Sequence, residues 1–206
     1  MALFPLLLLL ALFGCGSPPP ERSAGADQPA AAAPPRQVSG REAFQNMLIA
    51  ARSWALDARP FRLTNFYMKD STGVGGRAVA WTAGFVSPSL RKARTYTYST
   101  IKTENLHQGV FAGHDESFRS ESELTGPPFE VLALRVDSDK AFESAEAKGG
   151  KRFRQKNPQL PITYLLEHDR SSGELVWRVC YDTQCTTARF AVTVDASTGA
   201  VLKVSR

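Results

Sequence analysis

Apolar residues recur at three- and four-residue steps through Phe44, Met47, Leu48, Ala51, Trp54, Ala55 and Ala58, the stripe of a helix packed on one face. Ser39 and Glu42 stand ahead of it at capping-box spacing, and Arg59-Pro60 is expected to end it. The pattern then changes to short alternating runs broken by turn-forming clusters, as in an antiparallel meander. The same succession returns later in the chain. Asp137 or Ser138 can cap a shorter helix carrying Ala141, Phe142 and Ala145, stopped by Gly149-Gly150. Strands are expected after it at 162–167, 175–181, 189–195 and 200–204, with turns at 169–173, between Cys180 and Cys185, and at 196–199.

The two halves can be laid over each other. Ala80-Trp81-Thr82-Ala83-Gly84-Phe85 matches Val176-Trp177-Arg178-Val179-Cys180-Tyr181, and Ala93-Arg94-Thr95-Tyr96 then matches Ala188-Arg189-Phe190-Ala191. The expected fold is α+β: two tandem repeats of a helix packed on an antiparallel four-stranded sheet, at 38–117 and 136–206, with 118–135 as a linker or extra strand. Trp81 and Trp177 read first as core or sheet-face anchors and second as binding residues, the latter together with Arg94 and Arg189. Gly73-Val74-Gly75-Gly76 reads as a flexible hairpin loop.

Ahead of the globular pattern lies an uncharged apolar run, 3–13, and then Cys15. Leu12-Phe13-Gly14-Cys15 resembles the bacterial lipoprotein signal, in which a small residue precedes a cysteine that is acylated and becomes the new N-terminus. Phe13 is bulkier than that signal usually carries, and no Lys or Arg opens the run. By this resemblance 1–14 is a signal peptide and 15–37 a lipid-anchored Pro/Ala-rich linker. The competing reading is a plain secretory signal or a short membrane anchor, though the run falls below the roughly 18 residues of a spanning helix. Residues 17–37 hold no aliphatic side chain larger than Ala, so they form a semi-extended spacer rather than a core.

Composition changes this picture little. Of 206 residues, 43% are hydrophobic and 10% aromatic, ordinary values for a globular protein. The formal charge is +5, and Glu21 and Asp27 cancel Arg22 and Arg36, so the surplus belongs to the folded region. Basic residues cluster at 91–94 and 148–156, where solvated faces are the simpler reading. With Cys15 assigned to lipid, Cys180 and Cys185 remain as a pair. Outside the cytoplasm a disulfide is favoured over free thiols or a metal site. His107, His114 and His168 show no ligand spacing, and no phosphate loop, nucleophile elbow or His-Glu-x-x-His helix is present. The chain is therefore expected to be non-enzymatic, without cofactor or metal.

The closing pattern Val194-Asp195-Ala196-Ser197-Thr198-Gly199-Ala200-Val201-Leu202 resembles the end of PepSY domains, where a strand finishes in Val-Asp-Ala, turns through Thr-Gly and returns. Val136 to Phe142 and the Trp177 strand are similar to exported proteins of that kind, whereas the first half lacks the Asp-Ala-x-Thr-Gly turn. The resemblance implies a binding module, associated with binding or inhibiting exported proteases, and carries no catalytic motif. The expected function is a membrane-tethered binding module of the bacterial envelope, with an exported protein as partner, membrane contact through the N-terminal lipid and no nucleic acid. The alternative is an accessory envelope lipoprotein that docks a basic face on anionic lipid or cell-wall polymer. Gly16 rather than Asp after Cys15 points to the outer membrane under the familiar sorting rule, with the cell surface as the other location. Cys15→Ser is expected to shift the chain from the membrane to the soluble fraction of lysed cells; unchanged sedimentation with membranes would refute the anchor.

Overall fold

The Ser39 hydroxyl accepts the Glu42 N–H at 3.3 Å and so opens the first helix where its spacing places it. The computed structural model describes residues 34–206 except 69, 70 and 125, so the signal-peptide reading, Cys15 and most of the linker lie outside the described residues. In chain order the elements are β1 (Val38–Ser39), α1 (Gly40–Trp54), β2 (Arg59–Asn65), β3 (Arg77–Ala78), β4 (Ala80–Ser87), β5 (Lys92–Ser99), β6 (Gly109–Ser117), α2 (Ser138–Ala145), α3 (Lys151–Lys156), β7 (Thr163–His168), β8 (Leu175–Cys180), β9 (Ala191–Asp195) and β10 (Val201–Ser205). The fold is mixed α+β, built on one large antiparallel sheet. Its eight strands run in the order β10-β9-β8-β7-β2-β4-β5-β6, and β1 and β3 pair separately. The first strands of the two meanders lie side by side, with Leu63 opposite Leu166 and Thr64 opposite Leu165.

The helices pack on one face of this sheet. Phe44, Met47 and Ala51 of α1 and Ala141 and Ala145 of α2 join Leu63, Phe85, Tyr96, Leu166, Val179 and Val192 in one buried core. Each large apolar side chain so buried contributes about 1.5–3 kcal/mol. Trp81 and Trp177 meet at its centre, ring centroids 6.4 Å apart and edge to face, both fully buried. Each indole N–H donates to a backbone carbonyl just ahead of a helix, Trp81 to Val38 at 3.1 Å and Trp177 to Val136 at 2.9 Å. The helix starts are also tied to each other. The Gly40 N–H donates to Ser138 Oγ at 2.7 Å, and the Arg41 N–H donates to Asp137 Oδ1 at 2.9 Å. Asp137 is itself the N-cap of α2, so one carboxylate serves the open N–H groups of both helices.

Several expectations need correction. The helix α1 ends at Trp54, before Arg59-Pro60, because Ala55 takes extended backbone and Asp57 is held by the Ser87 hydroxyl and the Ser89 N–H. Pro60 lies inside β2 beside a register shift, a place that tolerates a missing N–H. Gly149-Gly150 does not stop the second helix. The chain makes a wide turn at Glu146–Gly150 and resumes as α3, since Gly150 passes so close to Tyr181 that a Cβ would stand 1.7 Å from its Oη. Residues 130–136 form no strand; Val131–Ala133 is a short helical turn, and the N–H groups of Arg135 and Val136 donate to Ala196 O. Gly73 to Gly76 is no loose loop. Tyr164 Oη donates to Gly73 O at 2.6 Å and accepts from the Gly76 N–H, while Ser138 Oγ donates to Gly76 O at 2.6 Å.

Gly40 is tightly enclosed in the centre, since a Cβ there would lie 2.8 Å from the ring of Trp177 and 3.2 Å from that of Trp81. Gly40→Ala is expected to cost about 1–3 kcal/mol by overpacking, against its gain in helix propensity. Gly126→Ala, whose added Cβ meets nothing nearer than 3.8 Å, serves as the control in urea denaturation. Equal midpoints for the two variants would show that the indoles yield.

Candidate functional site

Side chains alternate across a strand, so the residues between the core positions point to the face opposite the helices. One row of paired residues there crosses the whole sheet: Lys203, Thr193, Arg178, Leu165, Thr64, Thr82, Thr97 and Phe111. Loops close the ends of this face. At one end Phe61, Val86, Ala93, Phe118 and Leu124 form a small satellite cluster; at the other, Met68, Val79, Ala80, Ile101 and Leu106 form a second. The middle stays open, with Thr64, Thr82, Thr97 and Thr193 half-buried and Thr95 exposed.

Two depressions mark this opening. One of about 390 Å³ is lined by Arg62, Thr64, Asn65, Thr163, Leu165 and the loop Thr183–Thr186. The other, of about 300 Å³, is lined by Phe61, Arg62, Thr64, Thr82, Gly84, Thr95 and Glu116. They share Arg62 and Thr64, which makes the central strand their common floor. Gly84 matters here because the Phe61 ring lies on it; a Cβ would stand 2.3 Å from the ring. Cys180 and Cys185 are bonded to each other, and Cys185 Sγ sits 4.0 Å from Thr163 O and 3.9 Å from Arg178 O. The disulfide thus holds its loop over the first depression as a wall.

The charges on this face are unevenly matched. Arg178 pairs with Asp169 at 3.2 Å and Glu167 at 3.8 Å. The Asp169 carboxyl is held at about 2, first by the Ser171 hydroxyl and then by the N–H groups of Ser171 and Ser172. Arg62, in contrast, has its Nε shielded from solvent with no hydrogen-bond partner among the described residues. The floor therefore offers hydroxyls and one guanidinium, groups that hydrogen-bond an incoming surface.

The expected binding residues lie elsewhere. Trp81 and Trp177 are core anchors, too deeply buried to stack on a ligand. Arg94 points to the helix side, where its guanidinium bonds Asp115 and lies 4.8 Å from the Trp54 ring, so it clamps the end of α1. Lys92 shares Asp115 at 3.0 Å, which leaves little of the first basic cluster free. Arg189 is not the counterpart of Arg94. Arg94 lies opposite Phe85, and the residue bonded opposite Tyr181 is Phe190, so the matched halves are offset by one residue here. His107 stacks on Phe111 and His168 Nδ1 faces Gly173 O at 2.9 Å; no group of three metal-ligating side chains converges among the described residues. Arg62 and the threonine row escaped sequence reasoning, although their polar alternation with Leu63, Ala83 and Tyr98 was visible.

An α+β fold with one sheet face covered by helices and the other open defines the class to which this chain belongs structurally. No family model matches the chain, and no curated protein matches it. Its fold is similar to the crystal structure of a chain from Clostridium difficile 630 described as a candidate lipoprotein, with a TM-score of 0.50 and 14% identity over 79% of this chain and 91% of that one. At that identity the likeness is one of fold. Among the described residues no helix is long and apolar enough to cross a membrane.

Replacing Cys180 and Cys185 together by Ser is expected to cost about 2 kcal/mol, the chain-entropy value for so short a loop. Urea midpoints of wild type and double variant measure it, and coincident curves would remove the disulfide from the stability of this wall.

Proposed function

We propose that the chain is a membrane-tethered, non-enzymatic binding module of the bacterial envelope, in which two PepSY-like units share one sheet whose open face receives another exported protein. The observation that carries this reading is the uncovered middle of the sheet, from Thr193 through Arg178, Leu165, Thr64 and Thr82 to Thr97. Adjacent strands lie about 4.8 Å apart, so eight of them span roughly 34 Å, the scale of a protein-sized contact of about 800 Å² per partner. Small-molecule sites are enclosed and mostly apolar; this floor is broad, hydroxylated and shallow.

The duplication is supported by like parts in like places. Each half has a tryptophan on the second strand of its meander, and each indole bonds the residue just ahead of its own helix. The caps Ser39 and Asp137 follow those residues directly. The tether is supported by the Leu12-Phe13-Gly14-Cys15 pattern and by the description of the structural neighbour as a lipoprotein. An exported protease is the partner class that the PepSY resemblance favours.

The test is cross-linking in intact cells with the full chain as bait, beside the open-face variant Arg62→Glu/Thr82→Lys. Wild type should capture one dominant exported protein, and the variant roughly tenfold less of it at unchanged membrane retention and thermal midpoint. Equal capture by the variant would remove the open face from the reading, and capture of only lipid or wall fragments would favour the accessory-lipoprotein alternative.

A further inference from the structure

The second basic cluster, at 148–156, is sorted by the fold into an inward and an outward part. Arg154 turns inward to Glu146 Oε2 at 2.7 Å, and Tyr181 Oη donates to the other carboxylate oxygen at 2.9 Å. Gly149, at φ 111°, lets the chain reverse between α2 and α3. So fixed, α3 sets Arg152, Phe153 and Lys156 across a groove of about 480 Å³ from Arg189, Phe190 and Arg206. Phe153 stacks on Phe190 at 5.0 Å and supplies an apolar floor. No Asp or Glu side chain lines the groove, and Arg152, Lys156 and Arg189 have no ion-pair partner among the described residues.

Like charges gathered without a counter-ion repel one another, and an anion bound among them removes that cost. Two of these three cations are arginines, whose planar forks suit phosphate or carboxylate oxygens. The aromatic floor narrows the choice, because it calls for hydrocarbon within a few ångströms of the anionic group. An acidic peptide offers only the one or two methylenes of each Asp or Glu, and a free phosphate has none at all. An anionic phospholipid has both parts in order. We propose that this groove binds the head group of an anionic phospholipid, its phosphate on Arg152 and Arg189 and its first methylenes on Phe153. The site lies apart from the open face and stands whether or not that face takes a protein.

The full chain is titrated with short-chain phosphatidylglycerol below its micelle concentration and with the matching phosphatidylcholine, as wild type and as Arg152→Glu/Arg189→Glu. The N-terminal apolar run is common to both chains and cancels. Wild type should prefer the anionic lipid about tenfold, a preference that weakens with salt, and the variant should lose it at unchanged thermal midpoint. Arg152→Gln/Arg189→Gln repeats the test without reversed charge. A preference that persists in both variants overturns the site. Glycerol phosphate binding as tightly as the lipid, or a Glu-rich peptide outcompeting it, overturns the lipid assignment.

Discussion

Two helix beginnings that must share one set of hydrogen-bonding groups determine how the two halves of this molecule meet. The first N–H groups of a helix have no partner within it. In α1 those of Gly40 and Arg41 find theirs in Ser138 and Asp137, at the start of α2. Ser138 passes its own proton to Gly76 O, which brings a third segment to the same point. Beneath this junction the indoles of Trp81 and Trp177 hold the residues that precede each helix. Position 40 is crowded, because the helix start and both rings converge there. A substitution at any of these residues acts on both halves at once.

This convergence also decides which face of the sheet is left open. All the helical cover is drawn toward the shared junction, on the side of Leu63, Trp81, Leu166 and Trp177. Among the described residues the other side receives only loops, and those reach its ends. What remains is a polar floor that no element among the described residues satisfies, and among those residues Arg62 Nε near its centre has no hydrogen-bond partner. On the helix side the charges are largely matched within the molecule, as with Arg94 and Asp115 or Arg154 and Glu146. The cations around Phe153 and Phe190 depart from that rule.

Much of the architecture was legible because it rests on local pattern. Ser39 with Glu42, the stripe from Phe44 to Trp54, and the alternation around Trp177 each specify an element within a few residues. What could not be read depends on partners far away in sequence. Gly73 to Gly76 looks loose until Tyr164 and Ser138 are placed against it. Gly149-Gly150 reads as a stop because nothing local reveals the Tyr181 ring under Gly150. Arg94 and Arg189 aligned as letters, yet a one-residue offset sends one to an internal ion pair and the other to an exposed groove. The open face was hidden for the same reason: alternation shows that Thr64 and Thr82 share a side, not that the side lacks a cover.

The way the sheet is joined governs how the chain must reach this state. Within each meander, neighbouring strands are close in sequence and can pair as soon as they are made. The junction is different, since Gly40 and Ser138 stand 98 residues apart, and β2 meets β7 across a similar span with only two residue pairs in register. Closing that loop brings an entropic cost before any contact repays it. Until it closes, β2 and β7 are bare edges carrying Leu63 and Leu166, the kind of surface that pairs with other chains. The first half therefore keeps its inner edge unprotected until the second is in place.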